Sequence, residues 1–473
     1  MSEKICLAAG RWAVEGEKFE VLSPYDGSVA GVALRPSPEV MEAAVSGAAA
    51  AFPFMKEMST RERAEILRRA AGLIRERGEE LARLISMESG KPWRYAAGEA
   101  ARAVHTFSEA AEECSRLYGE TIPLDTSTPG KGRVGITGWF PAGPVLAITP
   151  FNFPLNLVAH KLAPAVAAGC PVIVKPASAT PLTALRLAEI MIYAGLPEGA
   201  LSVLPASGVE AGLLAERPEI ARVTFTGSAA VGWELRRRVH MKNVTLELGG
   251  NAAVIVHEDW NDIHGAAARI AVGGYAYSGQ VCISVQRIFV HNSIYASFME
   301  EFTREVSAIR RGDPLDEATG IGPMIDEAEA RRVELWVDEA VSEGAVAVTG
   351  GPREGRFYPP TILENARGGM KAVDEEVFGP VTAVFGYDDF DEALAGVNDS
   401  RFGLQAGVFA RDIGLVRRAF ETLEVGGVIA GDIPTFRADR MPYGGVKESG
   451  SGREGPRWAI RAMCEQRLLV IGR

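Results

Sequence analysis

The chain has 473 residues, 47% hydrophobic and 23% charged, the balance of an ordinary globular protein. That apolar content excludes disorder, and at roughly 150 residues per domain the length suggests about three structural units. Lys and Arg total 50 against 61 Asp and Glu, a formal net charge of -11 that repels polyanions and disfavours nucleic-acid binding.

Met1 to Trp12 has no apolar core of signal-peptide length behind a basic start, so a cytoplasmic protein is expected. Ser59 to Glu62 has the S-x-x-E form of a capping box, and Ala64, Leu67, Ile74, Leu81 and Leu84 follow at largely helical spacing, with Gly78 expected to weaken or bend the helix. A second helical pattern spans about 96–116. Between Arg133 and Lys161 no residue is charged, as in a membrane span. Pro141, Pro144, Pro150 and Pro154, with Asn152 and Asn156, interrupt it, so the segment reads as buried strand, loop and helix, and no membrane is expected.

From about 144, short apolar runs alternate with helical stretches. The runs are Val145-Leu146-Ala147-Ile148, Val172-Ile173-Val174, Leu201-Ser202-Val203-Leu204 and Val223-Thr224-Phe225; the stretches are 155–168, 181–194 and 229–239. This is a βαβ series, and right-handed crossovers make it a parallel sheet covered on both faces. Arg236-Arg237-Arg238 reads as a solvated helix face rather than a phosphate-binding patch. The strand Val244 to Leu248 ends in Gly249-Gly250, and a second α/β series runs from Ala253 to about Ile429. Two doubly wound α/β domains are the economical reading. Ligands of such sheets bind at the carboxyl ends of the strands, where Asn152, Lys175, Gly227-Ser228 and Glu247 fall.

Five cysteines (Cys6, Cys114, Cys170, Cys282 and Cys464) are too few and too scattered for a disulfide scaffold, and no spacing suggests a metal site. Cys282 follows a helical run at 262–276 and a glycine, and precedes a strand near Val285 to Val290. In a flexible turn its sulfur can meet a substrate, with a helix N-terminus or nearby amides to lower its pKa; a lone cysteine is otherwise a small buried hydrophobe. Glu247, at a strand end, is either solvated or a partly buried acid with a raised pKa suited to general-base work. Asn152 can shape a proline-rich loop or donate its amide to an oxyanion. Gly227-Ser228 between strand and helix admits a phosphate to backbone amides, but lacks the G-x-G-x-x-G and P-loop spacings.

Together these segments resemble the aldehyde dehydrogenase superfamily. The carrying motifs are Glu88-Ser89-Gly90-Lys91-Pro92, Pro150-Phe151-Asn152-Phe153-Pro154, Lys175-Pro176-Ala177-Ser178, Phe225-Thr226-Gly227-Ser228 and Leu246-Glu247-Leu248-Gly249-Gly250-Asn251. Further on come Gly279-Gln280-Val281-Cys282, Glu376-Val377-Phe378-Gly379-Pro380 and Pro442-Tyr443-Gly444-Gly445-Val446-Lys447-Glu448-Ser449-Gly450. The resemblance implies Cys282 as nucleophile, forming a thiohemiacetal and then a thioester, with Asn152 and the Cys282 N–H as oxyanion hole and Glu247 activating the hydrolytic water. It implies a nicotinamide dinucleotide held by Pro150, Phe151, Lys175, Ser178, Gly208, Gly212, Phe225, Gly227, Ser228, Glu376 and Phe378. Many NAD-preferring relatives carry Glu at position 178; Ser178 removes its repulsion of a 2′-phosphate, so NADP or NAD is expected, leaning to NADP.

The resemblance further implies a cofactor-binding domain from 1–117 and 138–249, a catalytic domain from 250–425, and a small β bridging segment from 118–137 and 450–473. Through the strand around Leu468 to Ile471 that segment pairs subunits into a homodimer or homotetramer. The partner is a small-molecule aldehyde. Val281 and Ile283 flank the nucleophile, so no cation beside it binds an anionic substrate. Arg437 or Arg440 can supply that charge, although an exposed loop is the simpler reading of both. The segment Gly279 to Val285 looks most like lactaldehyde, succinate-semialdehyde and non-phosphorylating glyceraldehyde-phosphate dehydrogenases, which points to a small polar aldehyde. Two alternatives stand beside this. In a CoA-acylating enzyme, CoA resolves the thioester, but such relatives commonly lack the carboxylate found here as Glu247. A silent structural member would have lost catalytic residues that this chain retains.

Overall fold

The computed structural model describes residues 4–472. Its helices begin where the sequence offers caps. Ser59 accepts from the Glu62 N–H while the Glu62 carboxylate accepts from the Ser59 N–H at 2.7 Å, closing the box in both directions. The helix so started, Thr60–Glu76, stops at Arg77, where φ -101° and ψ 17° leave the helical region. Gly78 therefore opens a separate helix, Gly78–Ser89, instead of bending one. The second expected helix is Trp93–Glu113, tightening into a 3-10 turn at Cys114–Arg116.

Eight strands form the first sheet, in the order Arg11–Trp12, Leu7–Ala8, Leu201–Val203, Val172–Lys175, Val145–Ile148, Arg222–Thr226, Asn243–Glu247, Gly450–Ser451. The five central strands are parallel and the flanking ones antiparallel. Val145, Ala147, Val172 and Val174 pack into one core, while Leu146, Ile148, Ile173 and Val223 pack into another. A strand buried on both faces has to be apolar at every position, hence the unbroken runs. Helices Asn156–Ala168, Leu182–Tyr193 and Ala229–Arg238 lie within a residue of expectation. All of Asn156–Ala168 is buried, which accounts for the uncharged segment leading into it. Among the described residues no helix is long and apolar enough to cross a membrane.

The second sheet has seven strands, in the order Val346–Ala347, Thr361–Glu364, Val381–Tyr387, Arg287–His291, Ala253–Val256, Gln405–Phe409, Gly427–Ala430. All but the first run parallel. The molecule is thus a mixed α/β fold with two parallel sheets. Several boundaries differ from expectation, because strand pairing ignores them. Gly427–Ala430 belongs to the second sheet although it lies past 425. Gly450–Ser451 closes the first sheet and helix Pro456–Ala462 packs on Asn156–Ala168, so of 450–473 only Cys464–Ile471, among the described residues, joins a separate three-stranded sheet. That strand pairs antiparallel with Val134–Pro141, which pairs with Thr121–Pro123.

Candidate active site

In the first sheet the strand order reverses between Val145–Ile148 and Arg222–Thr226, and the crevice at the carboxyl ends of two such strands is where an open α/β sheet holds its ligand. The loops leaving these strands carry Pro150, Phe151 and Asn152 on one side and Gly227 and Ser228 on the other. The second sheet faces this crevice with its amino ends. Cys282 and Glu376 stand on loops entering Arg287–His291 and Val381–Tyr387. The carboxyl-end rule therefore locates only the first sheet's share of the site.

Between these loops lies a cavity of about 690 Å³, lined by Asn152, Cys282, Glu376, Phe378, Arg437 and Tyr443 among others. A second cavity of about 320 Å³ is lined by Lys175, Ser178, Gly208, Gly212, Phe225 and Arg238. Pro150, Phe151, Thr226, Gly227 and Ser228 line both. One elongated ligand can therefore run from Ser178 to Cys282, a shape that fits a dinucleotide. Phe151 and Phe378 meet edge to face with centroids 5.9 Å apart. Lys175 is buried, and burial lowers its pKa. In the arginine triplet, Arg237 is exposed and pairs with Glu234. Arg236 and Arg238 are exposed too, as a solvated helix face requires; Arg238 pairs with Glu216 and also lines the second cavity.

The loop carrying Cys282 is braced, not flexible. Tyr277, Ser278 and Gly279 are all left-handed (φ 51°, 56° and 68°). Ser278 Oγ donates to the Gly322 carbonyl at 2.7 Å, Tyr277 Oη to the Ser89 carbonyl at 2.8 Å, and the Ile325 N–H to Gln280 Oε1 at 2.9 Å. A Cβ at Gly279 would stand 2.1 Å from the Gly379 carbonyl oxygen, so only glycine fits. Contacts of this density pre-position a half-buried sulfur. Among the described residues no helix starts at Cys282, so no helix N-terminus serves the thiol. Burial pushes its pKa up to about 11, against the hydrogen bond with Tyr443.

Asn152 Nδ2 donates to the Gln280 carbonyl at 2.9 Å, which sets the amide beside the Cys282 loop and leaves its second N–H for another acceptor. Glu376 accepts from the Gly250 N–H at 3.0 Å, and burial raises its pKa to about 7. Glu247 lines neither cavity. Both its carboxylate oxygens are buried without a hydrogen-bond partner among the described residues. Burial, then the nearby Glu454 anion, hold its pKa well above the usual carboxylate range.

Sequence reasoning missed the charges around Glu247. Glu454 is buried and accepts from Lys161 Nζ at 2.6 Å and Arg437 Nη2 at 2.9 Å; these cations overcome burial and keep it ionised. Arg437 is not in an exposed loop: its side chain is 8% exposed, against 66% for Arg440. Asp439 accepts from Arg102 at 2.7 Å and lies 2.9 Å from His160 Nε2. Burial and the Arg437 charge pull His160 down to about 4, so it is neutral. The buried Lys161 and Arg437 and the partly exposed Arg102 thus face two anions, Glu454 and Asp439, with the raised-pKa Glu247 beside them. The Nε donors of Arg437 and Arg102 are buried without a partner among the described residues. One signal for Lys161 was present, a lone cation ending an uncharged segment; Glu454 and Asp439 sit in loops with no periodicity to mark them.

Comparison with known proteins agrees with this architecture. The family described as "Aldehyde dehydrogenase family" matches residues 12–469. A 3-sulfolactaldehyde dehydrogenase of Priestia megaterium is 46% identical over 463 residues, covering 98% of this chain and 96% of that protein. The NADP(+)-dependent succinate-semialdehyde dehydrogenase of Escherichia coli K12 is 38% identical, covering 98% and 97%. The crystal structure of aldehyde dehydrogenase 21 from Physcomitrella patens, in complex with the reaction product succinate, superposes with a TM-score of 0.97 at 42% identity, covering 99% of this chain and 98% of that one.

Proposed function

The chain belongs to the aldehyde dehydrogenase family and is an NAD(P)-dependent enzyme of that class; from this premise we propose the roles of its residues and the kind of aldehyde it oxidises. Cys282 attacks the aldehyde carbon to give a thiohemiacetal, whose oxyanion accepts from the free Asn152 N–H and the Cys282 backbone N–H. The dinucleotide, when bound, supplies the hydride acceptor that takes this adduct to the thioester. Lys175, Ser178, Gly208 and Gly212 hold its adenosine side, Gly227 and Ser228 its pyrophosphate, and Glu376 with Phe378 the nicotinamide ribose; Pro150, Phe151 and Phe225 pack along it. Glu247 is the general base. It turns toward the thioester and takes a proton from the attacking water, which releases the carboxylic acid.

The substrate is a small aldehyde bearing an anionic group at its far end. The carrying observation is a pair of arginines lining the cavity, Arg437 and Arg102, whose Nε donors are buried without a hydrogen-bond partner among the described residues. A buried donor without a partner is costly, and an anionic ligand that accepts from it relieves that cost. Names among the relatives point the same way: sulfolactaldehyde and succinate semialdehyde carry a sulfonate and a carboxylate, and the Physcomitrella structure holds succinate. NADP is preferred, because Ser178 places no carboxylate near a 2′-phosphate and Arg238 lines the same cavity. The edge strand Cys464–Ile471 exposes Leu468, Leu469, Val470 and Ile471, which supports pairing with a second subunit.

The test is reduced-nicotinamide formation with succinate semialdehyde, sulfolactaldehyde, lactaldehyde and glycolaldehyde, each with NAD and NADP. The anionic pair should lead in kcat/KM by tenfold or more, NADP should exceed NAD, and Arg437→Gln should flatten the difference between anionic and neutral aldehydes. Equal rates for neutral aldehydes would remove the anionic-substrate reading, and faster turnover with NAD the cofactor preference.

A further inference from the structure

Tyr443 is 3% exposed, and its hydroxyl has one hydrogen-bond partner among the described residues, the sulfur of Cys282 at 3.0 Å. The backbone fixes the ring's origin. The Tyr443 N–H donates to the Glu454 carbonyl at 3.1 Å, and the Glu454 N–H to the Tyr443 carbonyl at 2.7 Å. Val281, Ile283 and Leu404 pack around the ring. Against the ring lies the Arg437 guanidinium, 3.8 Å from the centroid, itself anchored by Glu454 at 2.9 Å. A phenol held this firmly beside a reactive thiol is more than packing, since Phe would fill the same apolar pocket without burying a hydroxyl.

We propose that Tyr443 is a catalytic residue whose O–H donates to the Cys282 sulfur, holding it as a thiolate aimed into the cavity, with the Arg437 cation bracing the ring. The proposal deepens the assignment of Cys282 as nucleophile and rests on it. A hydrogen bond that is stronger to the charged form favours that form, and O–H···S⁻ is of this kind. It works against the burial that disfavours the thiolate. The thiol proton leaves to solvent through the cavity, and Tyr443 keeps its own. Once the sulfur bonds to the aldehyde carbon it is a neutral thioether and a poor acceptor, so the bond weakens as the adduct forms and strengthens again when hydrolysis breaks the C–S bond and the sulfur leaves as thiolate. The charged groups around the sulfur act in known directions: Arg437 favours the thiolate, while Glu376 and Glu247 oppose it when ionised. The Tyr443 phenol is held un-ionised by burial first and by the neighbouring sulfur next.

The experiment is the pH dependence of Cys282 alkylation by iodoacetamide, read by mass spectrometry on the Cys282 peptide, for wild type and Tyr443→Phe. It needs neither turnover nor cofactor, so it stands apart from the test of Cys282 as nucleophile, which Cys282→Ala settles by activity. Tyr443→Phe keeps the ring and its contact with Arg437. The alkylation midpoint should rise by about one pH unit and the rate near neutral pH fall about tenfold. In turnover kcat should fall while KM stays within about twofold. An unchanged or lower midpoint in Tyr443→Phe overturns the proposal. 3-Fluorotyrosine at position 443, a nearly isosteric and stronger donor, serves if the Phe variant does not fold; it should lower the midpoint below wild type, and a midpoint at or above wild type overturns the proposal equally.

Discussion

Replacing Glu454 with Gln probes the charge cluster behind Cys282. The shape is kept and one oxygen can still accept, but the anion that satisfies Lys161 at 2.6 Å and Arg437 at 2.9 Å is gone. Removing one partner of a buried pair costs about 3–5 kcal/mol, because the remaining charges stay buried uncompensated. Here Glu247 offsets part of that cost. Its pKa is raised by burial and then by Glu454, and lowered by Arg437 and Lys161. Without Glu454 the raising charge disappears and the two cations are freed to act on Glu247, so its pKa falls and it ionises in Glu454's place. Two readouts follow. The thermal midpoint of Glu454→Gln should drop by several degrees, less than a full unpaired charge would cause. The acid limb of the kcat–pH profile, where thioester hydrolysis needs ionised Glu247, should move to lower pH. An unchanged midpoint with a limb unmoved or shifted upward would refute the coupling.

Asn152→Ala should cut kcat by about 10²–10³ with KM within a few fold, the loss typical of one oxyanion donor; a variant that raises KM alone would make Asn152 a binding residue. In Gly249→Ala the new Cβ would stand 2.1 Å from Glu376 Oε2 and must push the carboxylate off the Gly250 N–H. Dinucleotide affinity, measured by fluorescence titration, should then fall about tenfold at near-wild-type stability, and an unaltered affinity would remove Glu376 from the cofactor site. Ser178→Glu should turn the cofactor preference toward NAD by tenfold or more in kcat/KM, since a carboxylate there repels a 2′-phosphate; an unchanged ratio would place the discrimination elsewhere, with Arg238 the next residue to test.

The sheets were legible in the sequence because a parallel strand covered on both faces must be apolar throughout, and runs such as Val172-Ile173-Val174 between Gly- or Pro-bearing turns leave little else to read. Helix Pro38–Glu57 carried an equally plain signal, Ser37 as cap with Pro38 at the first position, yet its alanine-rich run shows little contrast between faces. Motifs named Cys282, Asn152 and Glu376 singly. Their convergence on one cavity depends on how the two sheets face each other, which no local pattern encodes. Arg437 and Arg440 look alike in sequence, three residues apart in an irregular loop. Only the partner Glu454, brought across by the Tyr443–Glu454 bridge, draws one of them inside. The sheet membership of Gly450–Ser451 was hidden for a related reason: it joins a sheet whose other strands lie two hundred residues and more earlier.

The central claim is a covalent route through Cys282 with Glu247 needed for the second half. Its most direct test is Glu247→Gln mixed rapidly with NADP and succinate semialdehyde, followed by reduced-dinucleotide absorbance and mass spectrometry of the Cys282 peptide. The account predicts a burst of about one equivalent per subunit, then slow turnover, with an acyl group on Cys282. Linear turnover without a burst and an unmodified Cys282, or an adduct on another residue, would contradict it.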